Sequence, residues 1–140
     1  MSNVQRKTMS AEMTMSPEHA RVLASDEAQE YYFKEGCFIL EMSNDAADPA
    51  LSIARARVAP GASTRRHRLA GVTERYVIQS GEGQVELDGV ATPVASGSVV
   101  RIPAGVSQRI TNTGEQDLIF LALCTPRFTP ACYEDLESTD

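Results

Sequence analysis

The chain has no tryptophan, only two histidines and only three cysteines. With His19 and His67 alone, a three-histidine metal site cannot be assembled within one chain. A serine triad would have one of these two as its base, and no Gly-x-Ser-x-Gly turn is present to hold a nucleophile. Cys37, Cys124 and Cys132 are odd in number and show no Cys-x-x-Cys spacing. That argues against a disulfide scaffold or a zinc finger and for a reducing, cytoplasmic setting. No apolar run approaches the ~18 residues of a membrane span. The opening residues, MSNVQRKTMSAEMTMS, lack the apolar centre of a secretory signal, so no membrane role is expected. Basic charge is also short. The 13 Lys and Arg face 19 Asp and Glu, a net charge of −6, which argues against nucleic acid as a partner. Gly81-Glu82-Gly83 has no third glycine at the right offset and leads into a strand pattern. It reads as a hairpin turn, and no nucleotide cofactor is expected.

What is present suffices for one folded domain. The 140 residues suit a single domain, since domains commonly run ~100–200 residues. An apolar content of 42 % excludes a wholly disordered chain. Residues 1–29 are polar, with Ser16-Pro17-Glu18 as the candidate start of a short helix. From residue 30, short apolar runs alternate with turn signals. Tyr31–Phe33 and Cys37–Met42 flank Lys34-Glu35-Gly36. Leu51–Val58 ends at Pro60-Gly61, and Arg75–Gln79 ends at Ser80-Gly81. Further runs lie at 84–87, 91–94, 98–102, 107–111 and 118–124. Eight or nine such strands with no internal helix predict an all-β sandwich or barrel over 30–125, with helix below ~15 % and confined to the N-terminal segment. Residues 126–140 form an acidic tail, whose Phe128 and Tyr133 are expected to pack on the barrel or on a second subunit.

Charge is unevenly spread. Residues 55–109 hold eight arginines against four acids, and the remainder carries −10. Ion pairs on a solvated sheet face are the favoured reading; the sharper one is a mouth that attracts a small anion.

Two segments carry a more specific pattern. In the first, Gly61, His67, Glu74 and Gly81 are separated by five, six and six residues. In the second, Gly97, Pro103, Gly105 and Asn112 keep five residues, one residue and six residues between them. This resembles the cupin superfamily, whose first motif is Gly-x5-His-x-His-x3–4-Glu-x6-Gly and whose second is Gly-x5-Pro-x-Gly-x2-His-x3-Asn. The resemblance covers residues 61–112 and implies a single-domain double-stranded β-helix, a jelly-roll barrel. It also implies that the His and Glu positions point into that barrel around one metal. Period-two alternation agrees, since His67 and Leu69 share one strand face and Glu74, Tyr76 and Ile78 share another.

The departures are as informative as the matches. Leu69 replaces the second histidine of the first motif, and Gln108 replaces the histidine of the second. His67, Glu74 and Gln108 remain as the implied ligands of one divalent ion (manganese, iron, zinc or nickel), weaker than the family's set. Leu69 and Tyr76 are implied pocket walls. The first functional reading is a metal-dependent dioxygenase, decarboxylase or isomerase acting on a small polar or anionic molecule. The alternative is a metal-free small-molecule-binding or sensor protein. There, His67 and Gln108 are hydrogen-bond partners for a small polar ligand; a purely structural reading has them in a buried network with Glu74, with Leu69 closing the metal side with hydrocarbon. A homodimer is expected, because open sheet edges need cover and Phe33, Phe128 and Tyr133 are candidate contacts.

Overall fold

The computed structural model describes residues 20–137, so the expected helix start at Ser16-Pro17-Glu18 lies outside the described residues. Eleven strands follow one another: β1 (Tyr31–Phe33), β2 (Cys37–Ser43), β3 (Ser52–Val58), β4 (His67–Leu69), β5 (Thr73–Ser80), β6 (Glu82–Leu87), β7 (Val90–Ala95), β8 (Val99–Ile102), β9 (Gln108–Asn112), β10 (Leu118–Thr125) and β11 (Tyr133–Asp135). Helical structure among the described residues is limited to two 3-10 turns, at Glu27–Gln29 and Pro130–Cys132. The second lies beyond the N-terminal segment to which helix was expected to be confined. No described helix is long and apolar enough to cross a membrane.

The strands form two antiparallel sheets, one in the order β1-β2-β3-β10-β5-β8 and one in the order β11-β4-β9-β6-β7. The expected closed barrel is corrected here, because neither sheet closes on itself. β1 and β8 are the edges of the larger sheet, and β11 and β7 are the edges of the smaller. Two of the crossings between sheets begin near a proline. Pro60 follows β3 and Pro103 follows β8, and a proline has no N–H to donate. The result is two facing layers with apolar inner faces.

Alternation along the strands builds the core between those layers. On β5, Glu74, Tyr76 and Ile78 are buried while their neighbours are not. On β10, Leu118, Phe120 and Cys124 point the same way. Tyr76, Ile78, Leu118 and Phe120 join Val85, Val94 and Ile110 of the smaller sheet in one core cluster. A second apolar cluster joins Leu69, Val72, Cys124, Cys132 and Tyr133, with Phe33 and Phe128 packed against it. Tyr133 reaches this cluster because β11 pairs with β4, Tyr133 opposite Leu69. Phe33 stands edge-on to Phe128 at 6.3 Å and to Tyr133 at 5.3 Å. The three aromatics offered as subunit contacts therefore pack against one another inside the chain.

Gly81 marks the switch from the larger sheet to the smaller. Its φ is +90°, and an added Cβ would lie 2.6 Å from the carbonyl oxygen of Asp117 and 2.9 Å from Cα of Leu118. Gly97 has nearly the same φ, +94°, with nothing within 4 Å of such a Cβ. Gly97→Ala should cost about 1 kcal/mol, the penalty for a left-handed L-residue. Gly81→Ala should cost clearly more, because backbone must also move. Urea unfolding of the two variants would check this, and equal losses would contradict the packing argument.

Candidate functional site

A cleft opens on the inner face of the larger sheet, and small side chains create it. Ala54 on β3 pairs with Ala122 on β10, and Ala56 pairs with Phe120 in the next inward position. Three alanines leave a hollow where larger residues would fill the layer. Phe33, Phe120 and Phe128 are among its walls, and it encloses about 530 Å³ with its open mouth included. Glu35 and Glu74 face it from within. Glu41 stands nearer solvent, where its carboxylate accepts a hydrogen bond from the Tyr31 hydroxyl at 3.3 Å.

A buried polar chain runs behind this cleft. Gln108 is 1 % exposed and lies on β9 of the smaller sheet. Its side-chain N–H donates to Oε1 of Glu74 at 3.0 Å. Its carbonyl oxygen accepts from the Tyr76 hydroxyl in a short hydrogen bond. The other oxygen of Glu74 lies 3.8 Å from the Cys124 thiol. Burial pushes the Glu74 carboxyl up to about 7, and the nearby Glu35 carboxyl adds to the rise. Burial also holds the Tyr76 hydroxyl well above its ordinary range.

His67 lies opposite Gln108 across the β4–β9 pair, yet it joins different partners. Its Nδ1 lies 2.7 Å from the carbonyl oxygen of Arg65. A carbonyl can only accept, so Nδ1 carries the proton and Nε2 is left bare. Nε2 faces Oε1 of Glu35 at 3.6 Å. Burial pushes His67 down and Glu35 up to about 7. Both shifts favour the uncharged forms, so this contact is not a fixed ion pair, and the Glu35 carboxyl changes charge near neutrality. The His67 ring stacks on Tyr133, with centroids 5.0 Å apart.

Of the five residues singled out from sequence, Glu74 and Tyr76 line the cleft, whereas His67, Leu69 and Gln108 lie outside its lining. Gln108 still contacts both lining residues. Leu69 is 3 % exposed and belongs to the second apolar cluster.

These positions do not form the expected metal centre. Among the described residues, no group of three or more His, Cys, Asp or Glu side chains is placed to hold an ion. The donors that motif spacing implied are turned to other uses. The Gln108 oxygen is taken by Tyr76, its N–H rather than a lone pair meets Glu74, and His67 Nε2 meets Glu35. Leu69 has no donor at all. The expectation of one bound divalent ion, and with it a metal-dependent dioxygenase, decarboxylase or isomerase, is corrected on this geometry.

A profile of the Cupin domain matches residues 54–124. The chain belongs to the cupin family. An oxalate-binding protein of Thermotoga maritima is 40 % identical to this cupin over 70 residues, which is 50 % of this chain and 58 % of that protein. This chain therefore spans less than two thirds of that relative. The crystal structure of a predicted oxalate decarboxylase from Thermotoga maritima is 27 % identical, with a TM-score of 0.60 over 74 % of this chain and 93 % of the other. A Streptomyces PAC13 structure with uridine has a TM-score of 0.72 at 15 % identity, over 87 % of this chain and 95 % of that one. The last likeness speaks to fold alone.

Glu35 is the site residue of this cupin that motif reading missed. It sits in a hairpin turn, and nothing in Lys34-Glu35-Gly36 marks it. The turn is tucked under residues 63–65, where the Arg65 amide donates to the Glu35 carbonyl at 2.7 Å. Gly36 permits this approach, since a Cβ there would lie 3.2 Å from the Ser63 carbonyl oxygen. The tuck carries the Glu35 side chain inward to the cleft and His67. Two carboxyls that change charge near neutrality at one cleft are able to take up and release protons there.

The same shifts make stability depend on pH. Glu35 and Glu74 move from 4.5 up to about 7 on folding. The folded chain then holds protons that the unfolded chain has released, so both groups remove stability as pH rises from about 4.5 through about 7. His67, shifted down, acts in the opposite direction and is common to wild type and variant. The melting temperature of Glu35→Gln relative to wild type should therefore rise between about pH 5 and about pH 8. A flat difference would show that Glu35 titrates as it does in water.

Proposed function

We propose that this cupin binds a small organic molecule in the alanine-floored cleft without a metal ion, as a binding or sensor protein. The observation that carries this is how the motif side chains are used. Gln108, Glu74 and Tyr76 bond to one another, while three phenylalanine rings and the Glu35 carboxyl remain turned toward the cleft. Such a combination of apolar walls and a few polar groups suits a small ligand. The proposal includes a cytoplasmic location, in keeping with three free, buried cysteines.

Ligand-observed NMR with a set of small aromatic fragments, in the presence of a chelator, tests this reading. At least one fragment should bind wild type. Ala54→Leu, which fills the floor opposite Ala122, should weaken that binding by about tenfold or more with the fold intact. Binding that needs an added metal ion, or that ignores Ala54→Leu, would overturn the reading.

The homodimer also belongs to this proposal. Four strand edges, at β1, β8, β7 and β11, are left open by the two sheets, and exposed edges invite pairing with another chain. Light scattering at micromolar concentration should give twice the chain mass; a monomer mass would remove the dimer.

A further inference from the structure

Charge in this protein is sorted by location. Arg55 pairs with Glu27 and Glu30, and Arg57 with Glu30 and Asp117. Arg65 pairs with Asp135, Arg68 with Glu134, and Arg66 and Arg109 share Glu86. The arginine excess of residues 55–109 is thereby largely spent on ion pairs away from the cleft. No arginine, lysine or histidine is among the described residues that line the cleft. Its carboxyls are those of Glu35, Glu41 and Glu74; the Tyr31 and Tyr76 hydroxyls and the Cys124 thiol are held uncharged by burial.

An anion entering here would meet carboxyl groups and aromatic rings and no cation to receive it. Recognition of a carboxylate or phosphate normally rests on the guanidinium or ammonium groups this wall lacks. A cation meets the reverse. Phe33, Phe120 and Phe128 line the same cleft, and an aromatic ring attracts a cation through the negative side of its quadrupole. Glu35 and Glu74 are largely withdrawn from water, with side-chain exposure of 14 % for Glu35 and residue exposure of 9 % for Glu74. A carboxylate buried without a counter-charge is costly, and a bound cation supplies that counter-charge. Glu41 at the mouth adds an attracting charge on the way in.

We propose that the cleft selects a small organic cation, an ammonium or amidinium group carried on a flat apolar body, over an anion of the same shape. This rests on the reading of the cleft as a binding site and deepens it by naming the ligand class. It also separates this chain from its Thermotoga relative, whose name carries a dicarboxylate.

Three probes of one shape and different charge test it: benzylamine, benzyl alcohol and benzoate, titrated into the full chain at about pH 7.5 and about 0.1 M salt. Benzylamine should bind about tenfold tighter than the alcohol or better, and benzoate should not bind measurably. Glu35→Gln should weaken benzylamine by about tenfold and leave the alcohol nearly unchanged. Glu41→Gln, at the exposed rim, gives a second arm should the inner variant fail to fold, and it should also lower benzylamine affinity selectively. Benzoate binding as tightly as benzylamine would overturn the inference, as would a benzylamine affinity that both variants leave unchanged. If none of the three binds while another fragment binds in an Ala54→Leu-sensitive manner, the cation inference falls and the cleft reading stands. If no fragment binds at the cleft, both fall.

Discussion

Gln108 is the constraint on which the rest of this site depends. It stands on one sheet and reaches two residues of the other, donating to Glu74 and accepting from Tyr76. A primary amide carries a donor and an acceptor side by side at its tip, so one residue satisfies a buried carboxyl and a buried hydroxyl together. Either group left unpaired would cost ~1–3 kcal/mol or more. The bridge therefore fixes the spacing and register of the two layers at the place where the cleft opens. A histidine there, as the family motif has it, could not hold both neighbours in this way while also binding a metal.

The cleft follows from small residues set beside that bridge. Ala54, Ala56 and Ala122 sit on adjoining strands, with the small residues Ser52 and Cys124 also lining the hollow. Each alanine alone is ordinary strand composition, and the hollow comes from Ala54 and Ala122 standing opposite each other with Ala56 next along the same face. The inward tuck of the 34–36 turn then brings Glu35 to the hollow. Electrostatics are arranged in the same way. Arginines pair with acids elsewhere on the protein, while carboxyls whose charge is suppressed by burial face the interior.

The cupin motif is kept here as a framework and changed as a ligand set. Its glycine and proline positions still end strands at the intervals that two facing sheets need. Its donor positions have become a hydrogen-bond network with a leucine beside it. Metal ligation requires free lone pairs converging on a point. A hydrogen-bond network requires donors and acceptors to alternate, and the orientations of His67, Gln108 and Glu74 obey the second requirement.

The sequence by itself determined the family and an all-β chain of alternating strands, eight or nine expected where eleven are described. These rest on local rules: period-two burial, the proline and glycine stops, and motif spacing read along the chain. It also placed Glu74 and Tyr76 on one inward face and left open the network in which Gln108 donates to Glu74. The tertiary structure decided the rest. It showed two open sheets where a closed barrel was expected, because closure depends on hydrogen bonds between strands distant in sequence. It gave His67 to Glu35 and Arg65 rather than Glu74, and it brought an unmarked turn residue to the site. It paired the arginines with acids as far away as residues 134 and 135. Side-chain orientation and charge pairing are set by what folding brings alongside, and no spacing within one segment encodes them.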